Sequence, residues 1–591
     1  MSLQTFFENF ALLADAPNGA AKLRELILQL AVEGKLVAQD HNHEPASTLL
    51  ERLGRERTKL IEEKNIRRMA EDSPAVNQSE ELYVLPDNWR WCKISDFAIV
   101  RGGKRLPQGA AFSVNPTPYI YIQVTNMKNG TIIKDALKYI DESIFQQIKQ
   151  YTIDKDDIYI TIAGTIGQSG VVPDFFHGMN LTENAAKLMF RGLNKKYLLI
   201  ALQSEALQRQ FAEKTNQMAQ PKLALKRIAD ALFPLPPLEE QKRVVAKVDE
   251  LMRLCDELES RQQARRESRV RLNNATLAPL NNVASLAPEE FEQASARLAD
   301  IFARLYDSAE TVSRLRSTIL QLAVQGKLAQ QNAKDEPASK LLKRVKHEKS
   351  RLLEEGKLKK SKEALAINID KPFPIPINWE WTYFDEIRTY AFTGLERSQQ
   401  QQSESNKLAY LKMNNITLDG RCDLTSFTRV NASDEEISKF KLSEGDFLFN
   451  TRNSYELVGK TCVFPSVQEQ FLFNNNILKI KFAASINPYF INLWFVSPYG
   501  RAILDTLKSS TTNVAAIYQG KLAGFPLPLP PLEEQKRIVA KVNQLMALCD
   551  ELETKLRQAE ADSEKLMKAA VRYVLTAISQ NTRDEALSVI A

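Results

Sequence analysis

The sequence predicts an α+β protein with a pseudo-two-fold internal repeat. Two different α+β inserts lie in two nearly identical helical frames, and a pair of long antiparallel coiled-coil helices separates the inserts. Three repeated segments support this. Residues 234–241, Pro-Leu-Pro-Pro-Leu-Glu-Glu-Gln, return at 528–535, residues 23–36 return at 315–328, and Asn-Trp-Arg-Trp at 88–91 returns as Asn-Trp-Glu-Trp at 378–381. The inserts hardly match, so we expect the frames to share one mechanical role and the inserts to recognise different things.

Composition sets the broad class of the protein. The chain has 591 residues, of which 44% are hydrophobic and 26% charged, as is ordinary for several globular domains. It contains no apolar run near the ~18–20 residues of a membrane span, and its first residues do not resemble a signal peptide, so we expect a cytoplasmic protein. The five cysteines include no Cys-x-x-Cys pair and make no ligand spacing with the four histidines. We therefore expect neither a disulfide framework nor a metal site.

The positive charge is concentrated in the first insert. The whole chain carries a net charge of +6, residues 91–232 hold 18 basic and 12 acidic residues, and residues 382–525 hold 15 and 14. This excess suits a polyanionic partner, although a solvated surface would explain it equally well.

The leading part of each frame is predicted to be helical. In the first copy, Leu23, Leu26, Ile27, Leu30 and Ala31 fall on one helix face, and a glycine follows where the helix would stop. A charged, exposed helical segment comes next. The Trp-x-Trp pair then places two rings on one side of an extended segment, which predicts the first strand of each insert.

The trailing part of each frame is predicted to be a long helix. Pro237 and Pro531 stand at its start, where the missing N–H costs nothing, and two glutamates complement the helix dipole. The apolar positions that follow have the 4-3 rhythm of a coiled-coil seam, although a helix packed on a globular core is the alternative. The seam positions are Val244, Val248, Leu251, Cys255 and Leu258 in the first copy, and Ile538, Val542, Leu545, Cys549 and Leu552 in the second. The second stripe is expected to continue through Leu556, Ala559, Leu566, Ala570 and Tyr573.

The inserts contain short β-type runs bounded by Gly, Asn, Asp and Pro, mixed with helical runs, which predicts compact α+β domains. The expected divisions are a leading frame at 1–90, an insert at 91–232, a trailing helix at 233–290, a second leading frame at 291–380, a second insert at 381–525 and a second trailing helix at 526–591.

The paired Pro-Leu-Pro-Pro-Leu-Glu-Glu-Gln frames around dissimilar inserts resemble the specificity (S) subunits of type I restriction-modification systems. Residues 160–167 with 180–187, and residues 445–459, resemble the target recognition domains of that family. The resemblance implies a non-catalytic subunit that recognises a bipartite, asymmetric sequence in double-stranded DNA, one half per insert. It also implies two methyltransferase (M) subunits and restriction/translocase (R) subunits as partners. S-adenosylmethionine, ATP and Mg would be bound by those partners, and no cofactor by this chain.

The candidate DNA-binding side chains are those that suit phosphates or base edges and lie in Gly-, Asn- or Thr-rich turns. In the first insert they are Arg101, Lys104, Arg105, Gln123, Asn126, Lys128, Thr165, Gln168, Gln220 and Lys222. In the second they are Arg397, Lys412, Asn414, Asn415, Thr451, Arg452, Asn453, Tyr518, Gln519 and Lys521. Any one of them could instead be an ordinary surface or turn residue. The Gly-Thr-Ile-Gly run at 164–167 is predicted to be a hairpin turn rather than a phosphate loop, because no Gly-Lys-Ser/Thr follows it.

Two other classes compete with this interpretation. A self-contained DNA methyltransferase is disfavoured because Asn487-Pro-Tyr-Phe490 lacks the second proline of the catalytic loop, and no Gly-rich cofactor turn opens a helix. A coiled-coil scaffold with two protein-binding heads fits the frames but not the Asn-, Thr- and Arg-rich turns of the inserts. The sequence therefore predicts no catalytic residues.

Overall fold

The computed structural model describes residues 18–40, 42–66, 76–212, 222–281, 287–356, 373–510 and 514–580. The chain divides into two compact units, Met1–Ala264 with Glu560–Ala591, and Arg265–Ala559. Within the described residues, no helix is long and apolar enough to cross a membrane, and no group of His, Cys, Asp and Glu could hold a metal ion. All five cysteines are free.

The first unit combines the helices of one frame with the strands of one insert. Its helices are α1 Gly19–Val32, α2 Ala46–Glu63, α3 Ile94–Phe97, α4 Glu142–Ile148, α5 Lys195–Gln203, α6 Glu205–Ala212, α7 Leu225–Ala229 and the first part of α8 Leu238–Asn281. Its strands are β1 Arg90–Lys93, β2 Ala98–Gly102, β3 Tyr119–Ile122, β4 Met127–Lys128, β5 Thr131–Ile132, β6 Lys138–Ile140, β7 Thr152–Ile153, β8 Ile158–Thr161, β9 Ser169–Val171, β10 Met179–Leu181, β11 Ala185–Phe190 and β12 Leu232–Leu235. They form sheets in the orders β6-β3-β10-β7 and β2-β11-β8-β9 and the pairs β1-β12 and β4-β5.

The second unit repeats this plan. Its helices are the remainder of α8, then α9 Pro288–Leu305, α10 Ala309–Val324, α11 Ala338–Glu354, α12 Phe384–Ile387, α13 Asp434–Phe440, α14 Pro488–Val496, α15 Pro498–Leu507, α16 Gln519–Ala523 and most of α17 Leu532–Gln580. Its strands are β13 Glu380–Tyr383, β14 Arg388–Thr393, β15 Leu408–Leu411, β16 Thr428–Val430, β17 Phe447–Asn450, β18 Arg452–Asn453, β19 Thr461–Val463, β20 Phe471–Phe473, β21 Ile477–Phe482, β22 Ser509–Ser510, β23 Ala515–Ala516 and β24 Pro526–Leu529. The sheet orders are β14-β21-β17-β19, β16-β15-β20, β18-β23-β22 and β13-β24.

The two inserts share one topology although their sequences hardly match. The four-stranded orders β2-β11-β8-β9 and β14-β21-β17-β19 correspond strand by strand, and β3 pairs in parallel with β10 as β15 does with β20. A lysine on the long strand and an aspartate before the neighbouring strand form a nearly buried ion pair in each, Lys187 with Asp157 at 3.4 Å and Lys479 with Asp446 at 2.8 Å. The inserts are therefore two versions of one domain.

The leading helices bury the predicted stripe. Leu23, Leu26, Ile27, Leu30 and Ala31 all lie in the core of the first unit, so that prediction is confirmed. Gly34 ends the turn after α1 with φ +69°, and a Cβ there would collide with Pro86. The Trp-x-Trp prediction is also confirmed, because Trp91 lies in β1 and Trp381 in β13.

Each insert begins and ends in a short antiparallel pair of strands. Trp91 is opposite Pro234, and Trp381 is opposite Pro528. In the first copy, the carbonyl of Pro234 accepts a hydrogen bond from the Tyr197 hydroxyl at 2.9 Å. In the second copy, the Trp494 indole donates to the carbonyl of Pro526 at 2.9 Å. The chain thus enters and leaves each insert at one point.

The repeated glutamine explains why the trailing motif recurs. Gln241 is fully buried; its Oε1 accepts from the backbone N–H of Asn194 at 2.9 Å and its Nε2 donates to the carbonyl of Pro236 at 2.9 Å. Gln535 makes the same two bonds, to Asn487 at 2.8 Å and Pro530 at 2.9 Å. One amide therefore connects the start of the long helix to the start of an insert helix.

The seam residues face the cores of their own units along the first turns of α8 and α17. Val244, Val248 and Cys255 are buried, as are Ile538, Val542 and Cys549, while Leu251, Leu258, Leu545 and Leu552 are half-buried. Beyond these positions the predicted stripe is confirmed at Leu556, which packs against the core of the second unit, and at Ala570, which is buried in the core of the first. It is wrong at Ala559, Leu566 and Tyr573, which are exposed, and Met567 is buried next to Leu566 instead. A straight helix has about 3.6 residues per turn, so apolar positions that repeat every ~3.5 residues move gradually off the buried face.

The element boundaries differ slightly from those expected. The residues assigned to the start of each trailing helix, 233–235 and 526–529, belong to β12 and β24. Helix α8 ends at Asn281 rather than near residue 290, and the second leading frame begins with α9 at Pro288.

Candidate nucleic-acid interface

In the second insert, a small three-stranded sheet brings two distant candidate segments together. Arg452 is paired with Ala516 and Asn453 with Ala515, and β23 also pairs with β22. The backbone N–H of Thr451 donates to the Asn476 carbonyl at 2.9 Å, and that of Ile517 donates to the Thr451 carbonyl at 3.0 Å. Residues 451–453, 509–510 and 514–521 therefore form one surface.

The side chains on this surface suit contacts with a polyanion. The Arg452 side chain is exposed, and among the described residues it has no hydrogen bond or ion pair. Tyr518 is 56% exposed, and Gln519 is exposed beside it. Lys521 Nζ donates to the Ser509 hydroxyl at 2.8 Å. An unengaged guanidinium is the group that binds phosphate or guanine edges in a bidentate manner.

Two further candidates on this sheet hold the backbone instead. Thr451 Oγ1 donates to the Asn476 carbonyl at 3.0 Å. Asn453 Nδ2 donates to Asn450 Oδ1 at 3.0 Å, and its own Oδ1 accepts from the N–H of Ser454. Both are half-buried, so they shape the surface more than they cover it.

The first insert builds the same surface with different residues. The N–H of Ile162 donates to Asn184, that of Leu223 donates to Ile162, both at 2.8 Å, and Ala163 forms a bridge with Lys222. Ala163 therefore stands where Arg452 stands in the second insert. The hairpin prediction for residues 164–167 is confirmed: Gly164 and Gly167 have φ +78° and +84°, between the paired strands β8 and β9. Thr165 and Gln168 are exposed on this turn.

Glu183 contacts two basic residues of the first surface. The carbonyl of Glu183 accepts from Lys222 Nζ at 3.0 Å, and its carboxylate lies 4.0 Å from the Arg105 guanidinium. Burial opposes ionisation of this carboxyl, but hydrogen bonds from its own backbone, Tyr121 and Thr182, together with the Arg105 charge, hold its pKa below the usual range. Glu183 is thus an anion beside two cations, a site that the charge count alone did not indicate.

The Gly-rich loop after β2 lies against the same turn. The N–H of Lys104 donates to the Leu181 carbonyl at 3.0 Å, and a Cβ on Gly103 would collide with the carbonyls of Leu181 and Thr182. Lys104 and Arg105 are exposed, and Arg101 is half-buried within β2. Only glycine permits this close approach of the loop to the 181–183 turn.

Three predicted DNA contacts are corrected by the structure. Asn126 and Asn415 are buried, and each caps a short helical turn by accepting a backbone N–H on Oδ1. Asn126 Nδ2 donates to the carbonyl of Asp135, and Asn415 Nδ2 donates to that of Asp423. Arg397 is held inside its domain by Glu436 at 2.7 Å and by the carbonyl of Asn431. These side chains stabilise turns and are not available to a ligand.

The remaining candidates surround these caps. Gln123 and Lys412 begin equivalent short helical turns and are half-buried, with Lys412 Nζ donating to Gln402 at 3.1 Å. Lys128 is exposed 4.0 Å from Asp135, and Asn414 is exposed. Gln220 lies outside the described residues.

Comparison with known proteins decides the family. The family model described as "Type I restriction modification DNA specificity domain" matches residues 86–266 and again 376–560. The chain belongs to this family. Each match spans one insert and the beginning of its trailing helix, in agreement with the two repeats of the fold.

Curated relatives agree with this membership. The specificity subunits of the type I restriction enzymes EcoAI and EcoEI from Escherichia coli are 30% and 28% identical to this chain, and each alignment covers 92% of this chain and 91% of the relative. A structure entitled "Crystal structure of HsdS subunit from Thermoanaerobacter tengcongensis" is 18% identical, with a TM-score of 0.40, over 83% of this chain and 97% of that one. The protein is a specificity subunit, which is a non-catalytic component of such systems, and it carries the specificity domain twice.

Proposed function

We propose that this specificity subunit recognises a bipartite, asymmetric DNA sequence, with residues 91–232 binding one half and residues 381–525 the other. The observation that supports the proposal is the pair of equivalent surfaces with different side chains. Ala163 and Lys222 in the first domain occupy the positions of Arg452 and Ala516 in the second. One scaffold with different polar groups at the same place is what two different half-sites require.

The exposed cations give the binding energy and the polar turns give the selectivity. Lys104, Arg105, Lys222, Arg452 and Lys521 can neutralise phosphates, which makes binding salt-dependent. Thr165, Gln168 and Gln519 can hydrogen-bond base edges. The partners in this proposal are two methyltransferase subunits and restriction subunits, which would bring S-adenosylmethionine, ATP and Mg to DNA in the cytoplasm.

A methylation map of the complex tests the proposal. The chain is purified with its methyltransferase partner and given duplexes in which both half-sites are randomised. Arg452→Ala should relax preference in the second half-site by about 1–3 kcal/mol if it contacts a base, or weaken binding to all sequences if it contacts phosphate. Lys222→Ala should affect only the first half-site. If either single variant changes the base preference in both half-sites, independent recognition is contradicted. If the unmodified complex shows no sequence preference, the proposed function is refuted.

A further inference from the structure

The loop after Arg452 differs between the two domains. In the second domain the N–H of Gly459 donates to Asn450 at 2.9 Å, and in the first the N–H of Gly167 donates to Thr161 at 2.9 Å. These bonds close equivalent loops, but the loop from Asn450 to Gly459 is the longer one. The additional length forms a turn in which the N–H groups of Leu457 and Val458 donate to the carbonyl of Ser454.

Tyr455 lies on this turn with its ring facing solvent. The residue is 51% exposed and follows Arg452 by three positions in the chain. An exposed aromatic ring leaves apolar surface in contact with water, and a partner that covers the ring removes that surface from water and gains packing contacts.

A nearly buried lysine fixes this exposed ring. The Lys508 side chain is only 7% exposed; its ammonium donates to the Tyr455 carbonyl at 2.7 Å and lies 4.5 Å from the centre of the Tyr455 ring. Asp505 accepts from the same ammonium at 2.6 Å. Cation–π attraction and a backbone hydrogen bond thus hold both the turn and the ring, so less freedom is lost when a ligand covers the ring.

We propose that Tyr455 is a specificity-determining residue that packs its ring against a base of the second half-site, and that Lys508 is a positioning residue acting through it. This rests on the proposed function. A flat apolar face beside an unengaged guanidinium matches duplex DNA, where the guanidinium takes a phosphate or base edge and the ring contacts a thymine methyl group or an unstacked base. The first domain has Ile166 in its shorter turn, partly buried against the core, so the effect belongs to one half-site.

The experiment compares six variants of the complex on the randomised duplexes described above. Tyr455→Ala should reduce discrimination at one base position of the second half-site by about 5- to 150-fold, the usual cost of one mismatched position, with the first half-site unchanged. Tyr455→Phe keeps the ring and should keep the preference. Lys508→Met should lose part of the preference, and Lys508→Arg, which can still donate to the carbonyl, should restore it.

The matched control is Tyr489→Ala. Tyr489 is 41% exposed in the same unit, at the start of α14. Its N–H donates to Asn487, whose own N–H donates to Gln535 of the frame, so Tyr489 lies near the frame. This variant should bind and select like the unmodified chain. Equal losses from Tyr455→Ala and Tyr489→Ala would overturn the assignment, as would a Tyr455→Phe variant as poor as Tyr455→Ala.

Arg452→Ala separates the two hypotheses. If it alters the second half-site while Tyr455→Ala does not, the inference about Tyr455 is refuted and the proposed function stands. If neither variant changes any half-site preference while the unmodified complex still selects its sequence, the inference about Tyr455 is refuted and the proposed function stands, with its recognition surface elsewhere. If the unmodified complex shows no sequence preference, the proposed function itself is refuted. Folding of each variant is verified by its thermal unfolding.

Discussion

The buried glutamine at the start of each trailing helix gives the sharpest stability prediction. Gln241→Ala removes the amide that joins the N–H of Asn194 to the carbonyl of Pro236, both in the first unit. The methyl group that remains can replace neither bond, and the native side chain is fully buried.

The expected loss follows from those two orphaned groups. Leaving one buried donor or acceptor without a partner costs about 1–3 kcal/mol, so two cost roughly 2–6 kcal/mol. Gln241→Glu is an informative companion, because a carboxylate can still accept from Asn194 but at neutral pH cannot donate to Pro236. It should lose the second bond and add the cost of burying a charge.

Hydrogen exchange of the full chain measures the effect where it occurs. In Gln241→Ala, the amides of α5 and the first turns of α8 should exchange faster, and those of α14 in the second unit should not change. Gln535→Ala should give the reverse pattern. Lys242→Ala is the matched control, because the Lys242 side chain, next to Gln241, is exposed and within the described part of the chain is paired only with Glu239. Unaltered protection in α5, or the same loss for Lys242→Ala, would show that the glutamine does not join the two helices.

Three further predictions follow from the frames and the inserts. Burial raises the pKa of Glu240 and of Glu534, against hydrogen bonds from their neighbours, so the chain should lose stability as pH rises from the unfolded pKa through the higher folded pKa. The double variant Glu240→Gln with Glu534→Gln should depend less on pH in denaturation curves between pH 4 and 8, and an identical pH dependence of stability would contradict this. Gly394→Ala should destabilise the second unit by about 1–3 kcal/mol, because the added Cβ would collide with two backbone carbonyls. Gly520→Ala, in open space within α16, should be neutral or stabilising by up to about 1 kcal/mol, and equal melting temperatures for the two variants would refute this. The purified chain alone should transfer no methyl group from S-adenosylmethionine to DNA, and radiolabel incorporated without a partner subunit would overturn that expectation.

The sequence predicted the frames well because their signals are local. The stripe from Leu23 to Ala31 and the helix that follows Pro237 each depend on residues within a few positions of one another, and so does the turn between Gly164 and Gly167 in the first insert. A 3.6-residue period and paired glycines are sufficient to identify such elements. Where the same local argument was extended too far, at Leu566 and Tyr573, the drift of a straight helix overturned it.

The candidate site was harder to predict because its residues resemble structural ones. An asparagine that caps a turn and an asparagine that contacts adenine look alike in a sequence, and only burial distinguished Asn126 from the exposed Asn414. Arg397 was misassigned because its partner, Glu436, is brought to it by the fold rather than by neighbouring sequence. Tyr455 had a signal, a lone aromatic residue in a polar loop, but its support from Lys508 is visible only in three dimensions.

The proline-rich strands that lead into the long helices have a consequence for solubility. In β12 the carbonyl of Pro234 faces away from β1, towards Tyr197, and the next carbonyl on that side, at Pro236, is bonded by Gln241. Proline has no N–H, so the outer edge offers no donors at either position, and its acceptors are already occupied. An incoming strand from another molecule would find nothing to pair with, which closes the route by which exposed sheet edges start aggregation.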